Sequence, residues 1–221
     1  MHTRVKGEKV KKIFVEQVTS VMKKHEYYFD KDKSTFIYED HEWKNECTLR
    51  FMAWENDQVF LRTEYFVTNK KVVQLYQDAI GEVDSMPICG VLDAGWAYKY
   101  LDIPAVDRPW FLMEVAKLHV LIQKWIVEFE CVGLSFFKEL NDCEKVGKVL
   151  DVFNVSAWTP LTMWTGKRIL HGICFYYVNT HDKQGTSDLF DLYRGIVKKM
   201  IYPPIKEPFM RLEQYIKRLP E

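Results

Sequence analysis

The chain has 221 residues, of which 48% are hydrophobic and 15% aromatic, far from a disordered composition and long enough to bury roughly 70% of its unfolded surface. Lysine plus arginine equals aspartate plus glutamate at 31 each, so no net charge draws it to nucleic acid or to an anionic membrane surface. Five cysteines, an odd number without a CxxC pair and several in apolar runs, fit free thiols in a reducing compartment.

The first 24 residues are locally basic (Arg4, Lys6, Lys9, Lys11, Lys12, Lys23 and Lys24 against Glu8 and Glu16), which reads as the wet face of a helix rather than a nucleic-acid contact. Val10, Ile13, Phe14, Val18, Val21 and Met22 recur at helical spacing and predict a first helix ending near His25. No apolar segment of secretory type follows the basic start, and charges break the longest apolar stretch. The expectation is a cytoplasmic protein without a membrane span.

Three extended runs come next, Thr35–Glu39, Cys47–Trp54 and Val59–Val67, joined by short polar turns that make them antiparallel neighbours. In the third, Val59, Leu61, Thr63, Tyr65 and Val67 share one face. Asn69 is placed to cap a helix through Val72, Val73, Tyr76 and Ile80, with Gly81 as its stop. Ile88–Leu92 reads as a short strand. Trp96, Tyr98 and Tyr100 alternate with Ala97, Lys99 and Leu101, which predicts another. Pro104 and Pro109 break the chain before a long central helix over Trp110–Cys131.

That central helix is apolar around most of its circumference, with two polar lines. Glu114, Lys117, Lys124 and Glu128 form one stripe, read as the solvent side. His119, Gln123 and Glu130 form a second, nearly opposite, among Leu112, Val115, Leu118, Ile122, Ile126 and Phe129. Buried polar groups need partners, so this second line predicts an interior network or a pocket wall between the sheet and the helix.

Beyond Phe136–Phe137, Asn141 or Asp142 caps a helix carrying Val146, Val149, Leu150 and Phe153. Thr159–Pro160 suits a helix start, and helical spacing runs on through Tyr177, with a strand near Ile173–Val178 as the alternative. Thr186 or Ser187 caps a helix to Met200. Pro203–Pro204 ends it, and a short amphipathic tail (Phe209, Leu212, Tyr215, Leu219) follows. The predicted class is α+β, one domain over 1–221. It has an N-terminal helix, an antiparallel meander of about three to five strands within about residues 1–105, and helices from about 110 onward packed on it.

Three stretches, His25–Phe29 with Thr35–Tyr38, Trp96–Tyr100, and Leu134-Ser135-Phe136-Phe137 with Glu139–Leu140, resemble a family of bacterial domains of unknown function. The chain departs from that pattern at Ser135, where proline is expected, and at His25-Glu26, where glycine is usual before the aromatic. The resemblance implies the fold and carries over no functional residue.

Motifs of known chemistry are absent from the sequence. Thr165-Gly166-Lys167-Arg168 has the Gly-Lys of a phosphate loop but no upstream glycine, and arginine where the magnesium-binding hydroxyl belongs. Gly133-Leu134-Ser135 lacks the second glycine of a nucleophile elbow. Asp40-His41-Glu42 and His181-Asp182 sit in turns and read as solvated loops, so no metal and no cofactor is expected. On one helix Cys131 and His119 would stand about 18 Å apart and could not act together.

Two candidate sites follow. An aromatic surface of Trp96, Tyr98, Tyr100 and Trp110 suits contact with another protein, since large aromatics give contact area at low entropy cost. A pocket lined by His119, Gln123 and Glu130 suits a small-molecule ligand or an enzyme. The leading expectation is a binding or protein-interaction domain without a catalytic constellation.

Overall fold

Apolar residues four apart make the first helix: Val10, Phe14, Val18 and Met22 form a single buried line along α1 (His2–Lys24). The computed structural model describes residues 2–53, 58–81, 87–91, 94–104, 111–155, 165–200 and 205–220. The chain is α+β, with a sheet early in the sequence and a mostly helical second half. It gathers into two compact units, residues 1–40, 44–66 and 91–139 in the first and 41–43, 67–90 and 140–221 in the second.

The meander is β1 (Tyr28–Asp30), β2 (Thr35–Glu39), β3 (Trp43–Ala53) and β4 (Gln58–Asn69). β5 (Cys89–Val91) follows β4 in the sheet order, and β6 (Phe111–Glu114) also pairs with β4. The hairpin between β1 and β2 turns on Asp30, whose carboxylate accepts from the amides of Asp32 (3.0 Å) and Lys33 (3.1 Å). Antiparallel register sets Phe36 opposite Cys47 and Tyr38 opposite Asn45, so these four side chains share one face. The opposite face is polar and closed by charge pairs: Arg50 and Arg62 both reach the Glu64 carboxylate, at 3.1 and 2.7 Å.

In the first unit the rest of the chain supplies α3 (Ala94–Tyr100), a short 3-10 turn, α4 (Leu118–Glu128), a π-helical turn at Phe129–Gly133 and α5 (Leu134–Leu140). α1 packs on α4, and α3 packs on the π-helical turn. Two expectations fail here. Residues 96–100 are helical, not a strand, because Ala94 and Ala97, three apart, are what the chain buries, while Trp96 stays exposed. Residues 111–114 are a strand, not helix, since Leu61 and Phe60 of β4 pair with Phe111 and Leu112. Trp110 lies outside the described residues, as do Trp54 and Thr159–Pro160.

The second unit is built from α2 (Lys70–Ile80), α6 (Cys143–Leu150), α7 (Thr165–Thr180), α8 (Lys183–Lys199) and α9 (Lys206–Arg218). α2 lies against α7 and α9, and α7 against α6 and α8. Asn69 caps α2 through the amides of Lys71 and Val72, and Gly81 ends it at φ 78°, both as the sequence implies. Asp142 caps α6. Residues 173–178 are helical, which removes the alternative strand. α8 begins at an Asp182 cap rather than at Thr186 or Ser187. Thr186 is buried one turn inside, its hydroxyl turned back to the Asp182 carbonyl.

Candidate functional site

Leu118, Leu121, Ile122, Trp125 and Phe129 form the buried face of α4 and its continuation, at spacings of three and four. That face contradicts the expected phase of the helix. His119 and Gln123 are exposed, and so is Glu130, so the three do not line an interior wall. Lys117, His119, Gln123 and Lys124 lie on one wide outer arc, with Val120 and Val127 exposed among them. The circumference reads as mostly apolar because the expected helix takes in the strand residues Phe111–Met113 and because two valines face water. Glu128 leaves the expected solvent stripe. Seven residues after Leu121 and three after Trp125, it falls on the buried line and is 5% exposed.

Glu130 has a different partner. Its carboxylate meets His25 Nε2 at 3.3 Å, tying the end of α1 to the π-helical turn.

Around Glu128 the first unit gathers polar side chains from the sheet face and from α3. Tyr98 of α3, half-buried, hydrogen-bonds the Glu128 carboxyl, and its phenol is pushed up to about 12, by burial first and by Glu128 second. Cys47 on β3 is fully buried, and its thiol is raised well above the ordinary range by burial and then by Glu128. Tyr65 on β4 is 0% exposed; burial and Glu128 raise its phenol too. Tyr27 accepts a hydrogen bond from Asn45, although burial outweighs it and drives that phenol upward.

Two buried atoms of this cluster, the Tyr65 hydroxyl and Asn45 Oδ1, have no hydrogen-bond partner among the described residues. Phe129 stands 5.4 Å from Tyr27 and stacks on Trp125 at 5.5 Å, while Phe137 lies 5.4 Å from Tyr65. Gly133 closes the π-helical turn against these rings. A methyl there would come within 2.8 Å of Phe129 and 3.1 Å of the Tyr65 hydroxyl. π-helical turns of this kind recur at functional sites.

Comparison with family models, with curated proteins and with solved structures finds no match.

Two of the thiols, Cys47 and Cys89, are held in the wrong state for nucleophilic work. A thiolate is the reactive form, and burial keeps Cys47 protonated and raises Cys89 to about 12. Among the described residues no group of three or more His, Cys, Asp or Glu could hold a metal ion. The turn residues have structural work instead. The Glu42 carboxylate accepts from Lys71 Nζ at 3.0 Å, and Asp182 caps α8 and accepts from the Tyr176 hydroxyl at 2.7 Å. Arg168, of the Gly-Lys-Arg run, is buried and donates to the carbonyls of Leu150, Asp151 and Asn154 beyond the end of α6. That use satisfies helix-end carbonyls and commits the Arg168 guanidinium to them.

The aromatic candidates divide. Trp96 is 41% exposed on α3, with the Lys99 ammonium 4.9 Å over its ring, whereas Tyr98 and Tyr100 are half-buried. Tyr100 turns inward to Phe136 at 6.1 Å. Sequence reading missed Glu128, Tyr65 and Cys47. Their signal was present in the alternation of β4 and in the spacing of Glu128 from Leu121 and Trp125.

Among the described residues no helix is long and apolar enough to cross a membrane.

Proposed function

We propose that this chain is a cytoplasmic, non-enzymatic binding domain that captures a partner protein through α3. The observation that carries the reading is Trp96. A large aromatic ring held at the surface, with a lysine ammonium seated over it, offers apolar area and a positive charge at one point. Tryptophan is among the residues that most often dominate interface energetics. The complementary partner presents an apolar slot edged by a carboxylate that takes Lys99. The enclosed thiols of Cys47 and Cys89, kept protonated by burial, do not suit a nucleophilic role.

The test is capture from the source cell with the full chain as bait, comparing Trp96→Ala and Lys99→Glu with the parent. Both substitutions should abolish recovery of the partner while changing stability by no more than about 1 kcal/mol, as exposed positions do. Undiminished capture by both variants refutes the role of α3.

A further inference from the structure

We propose that the loop at residues 151–155, in the second unit, docks a protein that presents an apolar socket edged by arginine or lysine. The inference does not depend on the role of Trp96.

The loop is open to solvent at its side chains and held at its backbone. Phe153, expected within α6, lies past its end and is 52% exposed; Asp151, Asn154 and Val155 are exposed as well. Two buried side chains fix the carbonyls beneath them. Arg168 donates to Leu150 at 2.8 Å and to Asp151 and Asn154 at 3.2 Å, and the Tyr193 hydroxyl donates to Val152 at 2.7 Å. Val152 turns inward, to within 2.6 Å of where a Cβ on Gly172 would stand. Burying a guanidinium is unfavourable unless its N–H groups are bonded, and Arg168 meets that need with loop carbonyls. A segment fixed in this way presents its outer side chains already ordered, so docking loses little backbone freedom.

The chemistry of the partner follows from the charges beside the ring. Phe153 stands edge-on to Tyr176 at 5.2 Å, and the Tyr176 hydroxyl donates to the Asp182 carboxylate at 2.7 Å. The other oxygen of Asp182 accepts from the Gly185 amide, so neither of these donors carries a charge. The ammonium of the next residue, Lys183, is turned to the Leu219 carbonyl. Asp151 is exposed and has no ion-pair partner among the described residues. An exposed ring beside two carboxylates that lack cations is complementary to an apolar socket with a cationic rim. Aromatic anchors of this kind are enriched at interfaces, and rim charges select the partner.

Photo-crosslinking in the source cell tests the proposal, with benzoylphenylalanine in place of Phe153 in the full chain. Irradiation should join the chain to one protein. The joined peptide, mapped by mass spectrometry, should carry arginine or lysine beside apolar residues. The same probe in place of Met210, which is 51% exposed, should not yield that peptide. Asp151→Lys should lower the yield at least about tenfold, since it sets a cation against the cationic rim. Asp151→Asn, which suits the left-handed backbone at that residue (φ 40°), should lower it in the same direction with folding intact. Trp96→Ala should leave the yield unchanged, so failure of the α3 reading and failure of this one are told apart. The proposal is overturned by no adduct, by an adduct with a peptide of this chain itself, or by a joined peptide without a basic residue. It is overturned equally by a yield that survives both Asp151 variants or falls with Trp96→Ala. An adduct with this chain would make the loop a contact between copies.

Discussion

Trp125 donates its indole N–H to the Thr63 hydroxyl oxygen over 2.9 Å, joining α4 to β4 inside the first unit. Both residues are buried, and Trp125 is also ringed by Phe14 at 5.3 Å and Phe129 at 5.5 Å. The apolar contacts supply the burial energy, and the hydrogen bond fixes which way the indole points.

Thr63→Val keeps the volume and removes the acceptor, leaving a buried N–H without a partner. Urea unfolding should show a loss of about 1–3 kcal/mol with an unchanged slope. Thr63→Ser, which retains the hydroxyl, should recover most of it. A Val variant as stable as the parent would mean that the indole finds another acceptor.

Gly133→Ala tests a close backbone approach in the first unit. The added methyl would stand 2.8 Å from a Phe129 ring carbon and 3.1 Å from Tyr65, and both neighbours are enclosed by further rings. Overpacking of this kind costs about 1–3 kcal/mol. Gly195→Ala is the control, since nothing lies within 4 Å of its added methyl, and it should be neutral or stabilising in its helix. Equal behaviour of the two variants would contradict the packing described at the π-helical turn.

The legible parts of this fold are those with local causes. Asn69 and Gly81 bound α2 because a cap and a left-handed stop are properties of the residues themselves. The meander was readable from alternation and short turns. The parts that misled are those decided by tertiary packing. Trp96, Tyr98 and Tyr100 alternate like a strand, yet the small Ala94 and Ala97 set the buried face of a helix. In α4 the polar residues gave no means of choosing the inner side, because one carboxyl, Glu128, lies inside and two valines lie outside. A buried carboxyl is recognisable only once Cys47, Tyr65 and Tyr98, distant in sequence, are brought to it.

The corrected phase of α4 has its own consequence. His119 and Gln123 face solvent, so His119→Ala and Gln123→Ala should each change unfolding free energy by no more than about 0.5 kcal/mol. Trp125→Ala, on the inner line of the same helix, should cost about 3–5 kcal/mol. A loss above 2 kcal/mol for Gln123→Ala would restore the interior line.

In the second unit, α8 and α9 are joined by a charge pair whose pH dependence has a definite sign. Arg194 donates to both Glu213 oxygens, at 3.1 and 2.9 Å, and Lys217 adds a bond at 2.6 Å. The hydrogen bonds from Arg194 are the largest cause holding the Glu213 carboxyl below the usual glutamate range, and burial opposes them only in part. A carboxyl whose folded pKa is lowered contributes stability above its unfolded value, near about 4.3, and loses it as the pH falls through the folded value. Glu213→Gln should therefore be less stable than the parent at pH 7, by about 1 kcal/mol, because Arg194 is partly exposed and water screens the pair. The difference should hold down to about pH 5 and shrink progressively below about pH 4. Denaturant titrations of both proteins from pH 7 to pH 3 measure it. A gap that stays constant to pH 3 would show that the charge of Glu213 contributes nothing, and that the cost of the substitution lies in packing between α8 and α9.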